Sequence, residues 1–261
     1  MDQFQFAGYY MAKEKGFYRD VGLDVTLKKY NLKTDIVNDV VSLKTTYGIG
    51  RSSLLINRSE GSDIKLLKSI FQSSPLVLLS TNIDNIHDFS GKKIMSSNDA
   101  EKLVATQAML SKAGIDKNDL IYIDHSFDID DLIEEKTDIM TSYISNETFL
   151  LEEKGVQYSV FDPKDYGFDF YSDILFTSTH ETTHHKQRTI NFQNASLKGW
   201  LYAFDHIDET VALILRKYNI QGKSKEALLF EAKKLKELAF YKIEKSGFGQ
   251  IGIYKKRDSC R

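Results

Sequence analysis

The sequence predicts an α/β protein with mainly parallel sheets and a C-terminal helical layer. Three observations lead there. Short apolar or β-branched runs alternate with helix-like segments up to about Ser178. Beyond that point the strand signals stop and helical spacing takes over. Hydrophobic residues make up 41% of 261 positions, enough to bury a sizeable core.

The elements follow in order. In Asp24–Tyr30, Val25 and Leu27 alternate with Asp24 and Thr26, as in a half-buried strand. Thr34–Lys44 reads as a helix, Tyr47–Gly50 as a short strand and turn, Ser52–Glu60 as a helix and Ile64–Phe71 as a strand. Lys92–Ser96, Ile121–Asp124, Asp138–Ser142 and Tyr158–Phe161 are further strand candidates. The best-marked helix between them starts at Asn98, which has capping-box spacing to Glu101, and it stops at Gly114. In the C-terminal part, Leu197, Trp200, Leu201 and Phe204 share one helix face, and Val211, Ile214, Leu215 and Tyr218 repeat the spacing. Ser224 is placed to cap a third helix with a stripe of Leu228, Ala232, Leu235 and Ala239.

Charge and cysteine usage narrow the function. Lys and Arg number 35 against 37 Asp and Glu, a net charge of −2, without the basic excess of a nucleic-acid binder. No apolar run approaches the roughly 20 residues of a membrane span, and the first residues lack a secretory pattern. The single cysteine, Cys260, excludes an internal disulfide and a thiolate metal cluster.

Several short motifs carry a chemical and a plain reading. His180-Glu181-Thr182-Thr183-His184 matches the zinc-protease pattern, in which two imidazoles on one helix face hold zinc and the glutamate is the base. Its flanks are polar, which favours a solvated helix start. Gly48-Ile49-Gly50 lacks the third glycine of a dinucleotide fingerprint. After Gly50, Ser52 and Ser53 at a helix start suit either a polar ligand group or ordinary capping. Ser96-Ser97-Asn98-Asp99 poses the same choice. Tyr143, Asn146 and Glu147 follow a strand and either cap the next helix or reach a ligand. Asp169 and Asp173 stand among Phe168, Phe170 and Tyr171 and need partners if buried.

The stretch Gln5-Phe6-Ala7-Gly8-Tyr9-Tyr10-Met11-Ala12-Lys13-Glu14-Lys15-Gly16-Phe17-Tyr18, with Val21-Gly22-Leu23-Asp24-Val25, resembles the opening signature of the NMT1/THI5-like (SsuA/THI5) substrate-binding family. Tyr47–Leu54, Lys65–Phe71, Asp138–Phe149 and Gly167–Ser178 fit it too. Ala195–Ala203 is similar to the matching helix in the variant fused to bacterial sensor proteins. The resemblance implies a two-lobed type II periplasmic-binding-protein fold. One lobe would be 1–80 plus 178–261 and the other 81–177, with crossings near Leu79–Asp84 and Tyr171–Thr177. It also implies noncatalytic binding of a small polar metabolite by cleft closure, for which a thiamin-precursor pyrimidine is one candidate. The setting would be periplasmic or otherwise extracytoplasmic, with a membrane-embedded partner or fused transmembrane segment, no cofactor, no metal and no nucleic acid.

On that reading Gln5 hydrogen-bonds the ligand, and Arg51, Ser52 and Ser53 take its polar or anionic groups. Ser96, Ser97, Asn98, Tyr143, Asn146 and Glu147 act from the second lobe, and Asp169 and Tyr171 sit near the hinge, Tyr171 as a stacking platform. An importer receptor for sulfonate- or nitrate-type anions is the first alternative. A pyrimidine synthase or a zinc hydrolase through His180 and His184 is the second. Two departures bear on these readings. Gln5 and Phe6 stand where the pyrimidine-binding members carry Asn and His, and Cys260 alone cannot supply the cysteine-rich motif of the eukaryotic enzymes. The strand that family members carry before the signature has only Met1–Phe4 in its place, so lobe one is expected to lack it or to be clipped within it.

Overall fold

The computed structural model describes residues 3–29, 34–97, 103–219 and 221–246. The chain forms two compact units, the first up to Gln72 and from Tyr171 onward, the second Ser73–Phe170.

The first unit opens with a 3₁₀ turn, Phe4–Phe6, and continues with α1 (Ala7–Glu14), α2 (Ile36–Val41), β1 (Tyr47–Gly50), α3 (Leu54–Ser59) and β2 (Ile64–Phe71). The second unit holds β3 (Leu76–Ser80), β4 (Lys93–Ser96), α4 (Val104–Lys112), β5 (Ile121–Asp124), α5 (Asp130–Ile133), β6 (Ile139–Tyr143), α6 (Glu147–Glu153) and β7 (Ser159–Phe161). The chain then returns through β8 (Ser172–Ser178), α7 (Thr179–His184), α8 (Lys186–Asp205), α9 (Ile207–Lys217) and α10 (Lys225–Ser246).

The sheet of the first unit has the order β1-β8-β2 and is antiparallel throughout, with Gly48 opposite Phe176 and Ser69 opposite Ile174. The sheet of the second unit has the order β5-β4-β6-β3-β7. There β4 runs parallel to β5 and β6, while β3 runs antiparallel to β6 and β7. The sheets are therefore mixed, not mainly parallel. The strands beside the passages between units, β3 and β8, run against their neighbours, and hydrophobic periodicity carries no pairing direction. The same ladders move the passages: β3 belongs to the second unit and β8 to the first. The chain changes units at Gln72/Ser73 and Phe170/Tyr171, ahead of the crossings read from the sequence.

In the first unit α1 lies directly on α8. A Cβ on Gly199 would stand 2.1 Å from the Gly8 carbonyl oxygen, and one on Gly8 would stand 2.1 Å from Trp200 Cγ. Only glycine permits that approach. Trp200 is fully buried and meets Tyr9, Phe71 and Phe204 at ring-centroid distances of 5.8, 5.8 and 5.3 Å. The third C-terminal helix is capped as its sequence predicts, Ala227 N donating to Ser224 Oγ at 3.0 Å. Its stripe of Leu228, Ala232, Leu235 and Ala239 is wholly buried. The backbone N–H of Gln72 donates to the Leu238 carbonyl at 3.0 Å, tying the end of β2 to α10. In the second unit, the two faces of the sheet carry separate apolar clusters. One is built on Leu78, Ile94 and Ile139 under α4, the other on Val77, Leu79, Met95 and Met140 under α5 and α6.

One further expectation changes. Leu23–Lys29 forms no strand, although Leu23, Val25 and Leu27 are half-buried and Asp24, Thr26 and Lys28 exposed. The alternation of a half-buried edge survives without a ladder partner among the described residues; Tyr30 lies outside them. The Asn98–Glu101 capping pair also lies outside the described residues, and the described helix begins at Val104 and is stopped by Gly114 in the left-handed conformation at φ 79°.

Candidate functional site

The densest buried polar group of the first unit gathers around the start of α1. Glu231, on α10, is buried and accepts the backbone N–H groups of Phe4 and Gln5, each at 3.1 Å. Those donors open the 3₁₀ turn that leads into α1 and have no intrahelical partner, so the carboxylate acts as a remote cap. Lys223 Nζ stands 3.3 Å from Glu231 Oε2 and supplies the opposing charge. Burial raises the Glu231 carboxyl above its usual range, against the pull of Lys223 and the two N–H groups.

Gln5 is half-buried beside this cap. Its Nε2 donates to Asp173 Oδ1 at 2.7 Å, and its Oε1 accepts from Gln3 Nε2 at 3.2 Å. Asp173 lies near the start of β8 with its backbone in the left-handed region, φ 48°, and its side chain only 2% exposed. Its Oδ2 accepts from Ser172 Oγ at 3.2 Å. Burial pushes the Asp173 carboxyl up to about 7, with Glu231 adding to the rise and Gln5, Ser172 and the Arg51 charge opposing it.

Gln5, expected from the sequence to meet the ligand, thus bonds Asp173, and the charge of Arg51, expected likewise, acts on the same carboxyl; Asp173 itself was not an expected ligand residue. Arg51 follows β1, and Ser52 and Ser53 form the turn into α3. Ser53 holds the cap position without a side-chain bond to the helix. The two glycines of Gly48-Ile49-Gly50 serve packing: a Cβ on Gly48 would meet the Phe176 ring at 2.6 Å, and one on Gly50 would meet Leu54 Cδ1 at 2.9 Å.

In the second unit the candidates lie at the carboxyl ends of parallel strands. Ser96 ends β4 and Tyr143 ends the neighbouring β6, the end of an α/β sheet at which ligands bind. Ser96 is buried, and its hydroxyl, like those of Ser145 and Thr106, has no hydrogen-bond partner among the described residues. Ser97 follows directly, and Asn98 lies outside the described residues. Glu147 turns back on its own loop, accepting the Tyr143 N–H at 2.7 Å and the Asn146 side-chain amide. Asn146 holds the cap position of α6 without a side-chain bond to the helix, so the bonds of this trio stay within the turn between β6 and α6. Asp169 accepts from Ser73 Oγ at 2.6 Å. Tyr171, 38% exposed, begins the return to the first unit.

The zinc-like motif separates into two parts. Glu181 turns inward, is 3% exposed, and accepts Tyr47 Oη at 2.9 Å and Arg188 Nε at 2.7 Å. Burial works against its charge, but the bonds from Arg188 and Tyr47 prevail and hold the carboxyl below its usual range. His180 and His184 stack outward in solvent with ring centroids 4.3 Å apart. Glu181 is thus buried in an ion pair with Arg188, while the two imidazoles are exposed. Among the described residues no three His, Cys, Asp or Glu side chains group as a metal centre would require. A surface depression of roughly 270 Å³ lined by Ile207, Lys233, Lys236, Glu237 and Phe240 shares no residue with the candidates.

Sequence reasoning missed Glu231 and undervalued Asp173. Signals for both existed. Glu231 interrupts the apolar stripe of α10 between Leu228 and Leu235, and Asp173 is, with Asp169, one of two carboxylates set against an aromatic run.

Two α/β units built from one discontinuous and one continuous stretch, with polar residues at the carboxyl ends of strands, define a type II periplasmic-binding-protein fold. The chain belongs to the NMT1/THI5 like family, whose model matches residues 3–210. It is 25% identical over 224 residues to the riboflavin-binding protein RibY of Chloroflexus aurantiacus, covering 81% of this chain and 62% of RibY. It is 22% identical over 216 residues to the formylaminopyrimidine-binding protein of Halalkalibacterium halodurans, covering 79% of this chain and 64% of that protein. The chain thus spans less than two thirds of either relative. Among solved structures, the periplasmic aliphatic sulphonate binding protein SsuA of Escherichia coli superposes with a TM-score of 0.68 at 12% identity, covering 99% of this chain and 94% of SsuA. At that identity the likeness concerns the fold.

Proposed function

We propose that the chain is a noncatalytic binding module for a small, polar nitrogen heterocycle, acting outside the cytoplasm as a sensor input domain or transport receptor with a membrane partner. The observation that carries this reading is the buried group of Gln5, Asp173 and Glu231, with Arg51 beside it, at the start of the family's signature helix. When ionised, its two carboxyl groups balance one lysine and one arginine, so the surroundings of Gln5 then offer no surplus positive charge for a sulfonate or nitrate. A neutral ligand with hydrogen-bonding edges fits them better. The two curated relatives point the same way, since riboflavin and formylaminopyrimidine both contain a pyrimidine-type ring. Against catalysis stands the engagement of Glu181 by Arg188 and Tyr47, which removes the base a zinc hydrolase would need.

The test is a calorimetric and thermal-shift screen of riboflavin, aminopyrimidines, alkanesulfonates and nitrate. Binding of a heterocycle, weakened at least tenfold by Arg51→Ala or Tyr171→Ala, is the expected result. Binding of alkanesulfonates alone would replace this reading with that of an anion receptor.

A further inference from the structure

We propose that Asp173 is a positioning residue that fixes which way the Gln5 amide faces, and thereby sets the donor–acceptor pattern offered to the ligand. The inference rests on the reading of Gln5 as a ligand partner. A primary amide has a donor end and an acceptor end of nearly the same shape, so its direction is decided by its neighbours. An ionised carboxylate only accepts. It therefore draws Nε2 toward itself, as seen at 2.7 Å, and Gln3 Nε2 supports the same direction by donating to Oε1 at 3.2 Å. Gln5 is left with one N–H and one carbonyl lone pair, a pair suited to the N–H/C=O or N/NH₂ edge of a heterocycle. A protonated Asp173 donates as well as accepts, and the amide is then free to reverse.

The backbone supports a dedicated role. Asp173 adopts φ 48°, a left-handed conformation uncommon outside glycine, and strain of this kind gathers at functional sites. The charged or titratable groups acting on it come from every side: Arg51 after β1, Glu231 on α10 with Lys223 behind it, and Tyr9 on α1, with Gln5 and Ser172 as hydrogen-bond donors. Burial brings its carboxyl up to about 7, inside the range in which a modest pH change alters its charge.

The experiment follows the Gln5 side-chain amide signals of the ¹⁵N-labelled chain from pH 5 to 9, assigned by their loss in Gln5→Leu. They are expected to shift with an inflection near 7 in the wild type and to stay flat in Asp173→Asn. Arg51→Met, which leaves Asp173 in place, is expected to move the inflection upward because a stabilising charge is gone. A flat wild-type titration, or one that persists in Asp173→Asn, overturns the proposal. Where riboflavin or an aminopyrimidine binds, Asp173→Asn is expected to weaken it at least tenfold, and a change under twofold overturns the positioning role. If neither probe binds the wild type, the ligand reading is what fails, and the amide titration still decides the Asp173–Gln5 coupling.

Discussion

The first unit buries three carboxylates, Asp173, Glu181 and Glu231, each held by partners from distant parts of the chain. In the second unit the buried polar side chains are almost all hydroxyls, including Ser80, Ser96, Thr106, Thr137, Thr141 and Ser145, with Asp162 the one buried acid among the described residues. Most hydroxyls bond locally or to a neighbouring strand, as Ser80 Oγ does to the Asp138 carbonyl at 2.7 Å. A buried carboxylate is tolerated only with partners in place, whereas a buried hydroxyl left without a partner is a smaller penalty. The first unit's buried acids should therefore respond to pH and to the loss of single partners more strongly than the second unit's buried hydroxyls.

The most damaging change should be Glu231→Ala. It leaves the Phe4 and Gln5 N–H groups and the largely buried Lys223 without their acceptor, and breaking such a pair costs about 3–5 kcal/mol. Urea unfolding should show the loss, and Glu231→Gln, which keeps an acceptor oxygen, should recover part of it.

Next in size is Asp173→Asn. In the unfolded chain Asp ionises near 3.9, while in the fold it ionises near about 7. The unfolded state gives up its proton first, so this group's ionisation opposes folding. The penalty is absent below about pH 4, grows between the two values and is complete above about 7. Three pKa units set an upper bound of about 4 kcal/mol. Thermal unfolding should show Asp173→Asn gaining on the wild type at pH 8 relative to pH 4; equal differences at both would contradict the burial argument. Glu181 has the opposite sign. Its lowered pKa adds stability above the ordinary glutamate range near 4.3, which fades as pH falls through the folded value.

Gly199→Ala should cost about 1–3 kcal/mol or more by forcing α8 away from α1. The smallest effect belongs to the second unit: Ser96→Ala should change stability by no more than about 0.5 kcal/mol, because its hydroxyl has no partner among the described residues to lose. If the same substitution weakens ligand binding, Ser96 serves the ligand and not the fold.

Much of the architecture was legible. Ile64–Phe71 and Ile121–Asp124 have the bounds read from their β-branched runs, and the buried stripe and serine cap of α10 appear as the 3.6-residue period requires. Strand direction and the points of passage were not, because they depend on which strands pair, and β3 and β8 bear no mark of that in composition. Around Asp173, Gln5 was singled out from the signature and Arg51 from the turn after Gly50, but the bond from Gln5 to Asp173 spans 168 positions and no local pattern marks it. The polar flanks of the zinc-like motif favoured a solvated helix start, but a spacing rule does not say which way the middle glutamate turns.

The central place of β8 has a kinetic consequence. All seven of its residues are buried, and β1 and β2 bond to it from either side. Its amide hydrogens should be among the slowest in the first unit to exchange with deuterated solvent, protected until the whole unit opens. Leu23–Lys29, with no ladder partner among the described residues, should exchange orders of magnitude sooner. The chain thus re-enters the first unit from the second on its slowest-opening strand, so that passage stays anchored through local fluctuations.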